Sequence, residues 1–268
     1  SPMLSHVGTI NAVIGMATAM NKFNSHQIYL INLFGEFDDF KKNENFMVID
    51  IFKFGKLLPH TGILSKICIY FFSILSIPFL IHKIIIFKPD IIISNLVGYI
   101  SCVLKLFFKN LIIINSIQGL PKFTYLRTIF WKIFYTKSDL ILTMTNLTKN
   151  RIIKKIGIPE SKIRKIENPI INSQIRKLAQ EDIESDEQNL IYKNSFVICS
   201  VGRLTRQKNY FELIKCFKKL TLKKKNIKLI IIGSGELKKD IELYLKNNNI
   251  KNIFLLGFKN NPFKYIYQ

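Results

Sequence analysis

The residues best suited to chemistry stand together in Ser200-Val-Gly-Arg-Leu-Thr-Arg-Gln-Lys-Asn209. An apolar run ends at Gly202, then Arg203 and Lys208 bracket a short loop ahead of a helical pattern. Such a loop suits a diphosphate. Gly202 lets the backbone come close to a ligand. The helix N-terminus offers free N–H groups and a partial positive charge. Arg203 can grip two phosphate oxygens, and Lys208 adds a point charge. The same charges also suit a solvated basic loop, and local sequence leaves both readings open.

A second candidate is Ile231-Ile-Gly-Ser-Gly-Glu236. Gly233 and Gly235 fall between a strand pattern and a helix pattern, a suitable place for a phosphate or a ribose. They make only the front half of a dinucleotide fingerprint, because Lys238 stands where the third glycine would fall. A tight structural turn explains them equally well. Other chemistry is sparse. Cys68, Cys102, Cys199 and Cys216 sit in apolar runs without metal-ligand spacing, and read as reduced core residues of a cytoplasmic protein. Asp38-Asp39 lies in a polar loop without partners, and no metal site is expected. His6, His26, His60 and His82 read as ordinary surface or core residues, although His6 is close to Gly8.

The elements that must position these residues alternate. Helix patterns cover 9–23, 97–108, 123–136 and 146–156. Strand patterns cover Gln27–Leu33, Phe46–Phe52, Ile91–Ser94, Leu111–Asn115, Asp139–Thr143 and Lys162–Ile166, the last ending at Asn168-Pro169. Short β-branched runs bounded by turns describe strands buried on both faces, and their alternation with helices predicts a parallel sheet. Residues 172–194 are polar and carry Glu181, Asp182, Glu184, Asp186 and Glu187. They read as an inter-domain connection with one short helix. The pattern then restarts with strands Phe196–Val201, Leu229–Ile232 and Ile253–Leu256 and helices Asn209–Lys224 and Glu236–Asn247. The expected organisation is a domain over 1–171, a connection over 172–194 and a second domain over 195–268.

The chain carries a net charge of +22, yet only six of its 40 basic residues are Arg and the Lys are scattered. Solvated surface lysines account for that pattern. A basic face toward an anionic membrane is the alternative. Nucleic acid is not expected, because no basic stripe with interleaved aromatics is present. The uncharged run 67–81, bracketed by Lys66 and Lys83, is shorter than the ~20 residues of a spanning helix, and Pro78 interrupts it. It reads as a buried or partly interfacial helix. The N-terminal Ser1-Pro-Met-Leu-Ser-His6 does not have the pattern of a signal peptide.

Taken together, SVGRLTRQKN (200–209), FELIKCF after it, KLIIIGSGELKKDIE (228–242) and IFLLGFKNNPFKYI (253–266) resemble the family-4 glycosyltransferases. In the first half KPDIIIS (88–94), INSIQGLP (114–121) and IPESKIRKIENPI (158–170) match as well. The resemblance implies the GT-B fold, two doubly wound Rossmann-like domains facing a cleft, the second incomplete here. It implies transfer of a sugar with retention from a nucleoside-diphosphate sugar, UDP-linked in preference to GDP-linked, without a metal. Arg203 and Lys208 would stabilise the leaving diphosphate. Gly202, Gly233, Gly235, Gly257 and Phe258 would line the nucleotide pocket, and Gly8 would match the first-domain glycine loop, with Thr9 in place of its second glycine. The family's paired glutamates would fall beyond Gln268, so the chain is expected to be truncated there and upstream of Gly8, and by itself inactive. Where many members carry a histidine after the strand Leu111–Asn115, this chain has Ser116 and Gln118, so no catalytic base is named.

An apolar helix in a basic domain suits a glycan or lipid-linked acceptor at the cytoplasmic membrane face, as in bacterial surface polysaccharide or lipopolysaccharide synthesis. The resemblance further implies a hexosyl- or N-acetylhexosaminyl-transferase. The rivals are a non-catalytic or degenerate basic, membrane-associated nucleotide-binding protein, and another doubly wound nucleotide enzyme such as an epimerase or dehydrogenase. The last lacks an intact Gly-x-Gly-x-x-Gly.

Overall fold

Runs of Ile, Leu and Val closed by Asn, Gly or Lys form the strands, because a strand covered by helices on both faces takes a nearly continuous apolar sequence. The computed structural model describes residues 8–21, 26–35, 46–52, 62–95, 97–168 and 173–268. The chain divides into two units, Ser1–Ile170 and Ile171–Gln268.

The first unit runs α1 (Gly8–Asn21), β1 (Tyr29–Asn32), β2 (Met47–Asp50), α2 (Gly62–Leu75), α3 (Ile77–Phe87), β3 (Ile91–Asn95), α4 (Gly98–Leu104), β4 (Ile112–Ile117), α5 (Tyr125–Phe134), β5 (Leu140–Thr143), α6 (Asn146–Ile156) and β6 (Ile163–Lys165). All described pairings are parallel. They form two ladders, β1-β2 and β3-β4-β5-β6, where the alternation predicts one sheet. The ladders are joined by packing: Leu33, Phe34 and Phe52 share a core with Leu80, Tyr99 and Ile113. Helix α6 matches its predicted limits because its caps are explicit. Thr145 Oγ1 accepts from Thr148 N at 3.1 Å, and Gly157 closes the helix at φ 79°.

The second unit runs α7 (Ser173–Ala179), α8 (Ser185–Tyr192), β7 (Phe196–Val201), α9 (Tyr210–Lys223), β8 (Ile227–Ile232), α10 (Lys238–Asn247), β9 (Ile253–Gly257) and α11 (Phe263–Tyr267). Its sheet is parallel, in the order β7-β8-β9. Strand β8 is its centre. Ile227, Leu229 and Ile231 pack with Ile214 and Phe217 of α9 and Ile241 of α10. Ile230 and Ile232 face the other way, onto Ile183, Ile191 and Tyr265.

That second face explains a departure from the sequence reading. Residues 172–194 were expected to connect domains through one helix, but they carry two, and Ile183 and Ile191 cover the sheet. The acidic cluster ties this layer to the segment 259–265. Glu187 receives Lys259 Nζ and Tyr265 Oη, each at 2.6 Å. Asn261 Nδ2 donates to Glu181 at 2.8 Å, and Tyr192 Oη donates to the Tyr265 carbonyl at 2.6 Å. Burial works to raise the Glu187 pKa, but the hydrogen bonds from Lys259 and Tyr265 outweigh it and hold the carboxyl below its ordinary 4.5. A depressed folded pKa stabilises the fold above the ordinary value, and this contribution disappears as pH falls through the folded one. Glu187→Gln should therefore lower the thermal midpoint at neutral pH and narrow its gap to the parent in acid. A constant gap from neutral pH to acid would remove the pair from that role.

Two further expectations need correction. The uncharged run, expected as one buried or partly interfacial helix, is two helices, and it is buried on one side only. It breaks at Ser76, whose Oγ donates to the Ser73 carbonyl at 2.6 Å, and Pro78 stands at the start of α3, where a missing N–H costs nothing. Leu64, Ile67, Phe71 and Ile74 on the outer face of α2 are exposed. Among the described residues no single helix is long and apolar enough to cross a membrane, and the pair Ile67–Leu75 and Ile77–Phe87 is bent by 43°. Of the cysteines, Cys102 is buried, Cys68 and Cys199 are half-buried, and Cys216 is exposed on α9 rather than in the core.

Candidate active site

The loops that leave the C-terminal ends of β7, β8 and β9 bind one another through backbone. Gly202 N donates to Ile232 O and Leu204 N to Ser234 O, both at 2.9 Å; Leu237 N donates to Leu204 O at 3.0 Å and Gly233 N to Gly257 O at 2.7 Å. The glycines permit this. Gly233 has φ 147°, and a Cβ there would run into the Gly202 carbonyl; a Cβ on Gly235 would run into the Leu204 backbone. Gly257 turns at φ 71°. Gly233 and Gly235 thus serve loop-to-loop approach first, a role that the turn reading of the sequence allowed.

This frame holds the cations. Arg203, half-buried, follows Gly202 directly. Lys208 ends a 3-10 turn, Arg206–Lys208, and its Cε lies 3.6 Å from the position of a Cβ on Gly202. Asn209, at φ 53°, then swings the chain into α9. Among the described residues neither the Arg203 nor the Lys208 side chain has a hydrogen-bond or ion-pair partner. Arg206, exposed on the same turn, is equally unpaired. Three unpaired cations beside a helix start and a glycine carry out no proton transfer by themselves. Their chemistry is to hold an anion and to stabilise negative charge that grows on it.

Tyr210 was missed from sequence. It is the first residue of α9 and is buried, and its Oη donates to the Gly202 carbonyl at 3.0 Å. Burial pushes its pKa up, so the hydroxyl remains a donor. Its position in an amphipathic pattern marks it only as core. Tyr210→Phe should cost about 1 kcal/mol of stability in the second unit, the net worth of one hydrogen bond, measurable by denaturant unfolding. An unchanged midpoint would show that the contact contributes nothing.

The remaining predicted residues lie as follows. Phe258 follows Gly257 and is exposed. Gly8 opens α1 in the first unit, and among the described residues nothing lies within 4 Å of where its Cβ would be. His26 and His82 are exposed. His6, His60, Asp38, Asp39 and Pro169 lie outside the described residues. At the C-terminal edge of the first-unit sheet, Gln118 Nε2 donates to Ser116 Oγ at 2.8 Å and to Asn95 Oδ1 at 3.2 Å, and Asn168 Nδ2 donates to Gln118 Oε1 at 2.9 Å. Ser116 and Gln118 were noted from sequence. Asn95 and Asn168 were not singled out, although each is a polar residue close after an apolar strand. The four make an uncharged amide–hydroxyl cluster with no group that titrates near neutrality.

Comparison with known proteins gives three results. Residues 181–268 match the family described as glycosyl transferases group 1. An uncharacterized glycosyltransferase of Methanocaldococcus jannaschii is 35% identical over 212 residues, covering 73% of this chain and 52% of that protein. The N-acetylgalactosamine-N,N'-diacetylbacillosaminyl-diphospho-undecaprenol 4-alpha-N-acetylgalactosaminyltransferase of Campylobacter jejuni is 30% identical over 187 residues, covering 66% of this chain and 48% of that protein. The chain spans about half the length of these relatives. The crystal structure of Anabaena HepE in complex with UDP and glucose superposes with a TM-score of 0.69 at 13% identity, over 98% of this chain and 69% of that one. That likeness is of fold, the GT-B fold expected from the sequence.

Proposed function

We propose, from the match of residues 181–268 to glycosyl transferases group 1, that this protein moves a sugar with retention of configuration from a nucleoside-diphosphate sugar to a lipid-linked saccharide. The observation that carries the reading is the unpaired Arg203 and Lys208 beside Gly202, on a loop frame built by Gly233 and Gly257. The donor diphosphate lies against these cations. Arg203 grips its oxygens, and both charges stabilise the leaving nucleoside diphosphate as the glycosidic bond breaks. Gly235 and Phe258 line the nucleotide side. No metal is required, because the cations do the work of charge neutralisation.

A UDP-sugar is the proposed donor in preference to a GDP-sugar, supported by the UDP in the HepE complex. The transferred group is a hexose or an N-acetylhexosamine. The Campylobacter relative, named for a diphospho-undecaprenol-linked acceptor, supports a lipid-linked acceptor and a role in surface polysaccharide or lipopolysaccharide synthesis. This reading places the protein in the cytoplasm, in peripheral contact with the inner face of an anionic membrane.

Calorimetric titration with UDP and GDP in the absence of metal tests the donor site. Saturable binding of UDP, lost in Arg203→Ala, is the expected result. Binding of neither nucleotide would sink the donor site and favour a degenerate, non-catalytic protein.

A further inference from the structure

Helices on a protein surface normally turn a polar face to water. Two stretches of the first unit do not. On α2, Leu64, Ile67, Phe71 and Ile74 recur at helical spacing and are 57–60% exposed, and Phe79 and Ile86 continue an exposed apolar surface along α3. On α5 the inward side is already apolar, with Phe130 and Phe134 against Tyr99. Its outward side is apolar too: Tyr125 is 81% exposed and Leu126 77%, with Ile129 and Ile133 on the same face. Tyr99 also meets Tyr70 of α2, at 5.9 Å between ring centroids, so α2 and α5 come to a common neighbour.

The charge around these faces has one sign. From Gly62 to Lys137 there are nine Lys and Arg, and Asp90 is the only acidic residue. Lys122, Arg127 and Lys132, beside or on α5, are exposed. A surface that sought a second copy of this chain would bring Lys122, Arg127 and Lys132 against their own counterparts. Apolar side chains ringed by cations match instead the interface of an anionic bilayer, where rings and aliphatic groups enter the headgroup region and Lys and Arg meet lipid phosphate.

We infer that the exposed faces of α2, α3 and α5 form one basic–apolar seat that lies on an anionic lipid surface. This deepens the membrane contact in the functional reading above by naming the surface that makes it. The 43° bend between α2 and α3 suits it, since neither short helix needs to cross the bilayer.

The test is flotation of the 268-residue chain with vesicles of phosphatidylcholine alone and of phosphatidylcholine mixed with phosphatidylglycerol. Binding to the mixed vesicles only, weakened by salt, is expected. The triple variant Lys122→Gln, Arg127→Gln, Lys132→Gln should lower partitioning about 100-fold, at about fivefold for each charge removed. The double variant Leu126→Asn, Ile133→Asn should lower it by about tenfold per side chain. Thermal unfolding of both variants checks that these exposed changes leave the fold intact. Parent chain and variants floating equally would overturn this surface while leaving a membrane contact in place. No flotation of the parent would overturn both, and nucleotide titration still tests the donor site separately. A dimer in light scattering that Leu126→Asn, Ile133→Asn abolishes would give the face to a second copy and overturn the inference.

Discussion

Arg203→Ala should slow sugar transfer by about 10²–10³-fold, the range for losing one group aimed at charge that develops in the transition state. The loss should appear mainly in kcat, because the leaving diphosphate carries more charge on its bridging oxygen as the glycosidic bond breaks than it does in the bound donor. Stability should not change. The side chain has no partner among the described residues, and replacing an unpaired surface group stays within about 0.5 kcal/mol. A separation of activity from stability is therefore the signature: turnover collapses while the thermal midpoint holds. Arg203→Lys keeps the charge but loses the two-pronged geometry, and should fall between parent and Ala. Lys208→Ala should cost less than Arg203→Ala, since Lys208 is the more exposed of the two. Steady-state kinetics on the complete enzyme and its three variants measures this series. Near-parental turnover in Arg203→Ala would remove it from the leaving-group role.

Gly233→Ala should do the reverse. No donor contact is deleted, yet the second unit should lose about 2–4 kcal/mol, from a backbone conformation that L side chains rarely adopt and from the overlap of a methyl with backbone. The geometry is specific: φ is 147°, and the added Cβ would meet the Gly202 carbonyl. Gly202 cannot yield freely, because its N–H is committed to Ile232 O and its carbonyl to Tyr210. Nucleotide affinity should fall with stability, since displacing Gly202 displaces Arg203. Gly8→Ala is the control. Among the described residues nothing lies within 4 Å of a Cβ added there, so its stability should match the parent, and any effect on turnover would report contact with substrate. Chemical denaturation paired with calorimetric titration of UDP separates the cases. A Gly233→Ala protein of full stability that fails to bind nucleotide would mean that the glycine faces the ligand rather than the neighbouring loop.

The sequence by itself determined the element types, the parallel pairing, and the loops that carry Arg203, Lys208 and Gly233. These are local properties. Buried parallel strands require continuous apolar runs, helix α6 announces its own ends through Thr145 and Gly157, and a strand followed by Gly and cations marks the Gly202–Lys208 loop from neighbours alone. Tertiary structure decided what depends on residues far apart in the chain. The polar stretch 172–194 reads as a connection because its apolar content is small, but Ile183 and Ile191 suffice to cover one face of β8 once Tyr265 joins them. The glycines 233 and 235 read equally as ligand-lining or as a turn, and only the fold brings the Gly202–Leu204 backbone up against them. The uncharged run 67–81 reads as a buried or partly interfacial helix from its composition, and only packing shows which face of α2 and α3 stays outside. Hydrophobicity says that a side chain gains from leaving water. It does not say what covers it, and that is settled only where the chain folds back on itself.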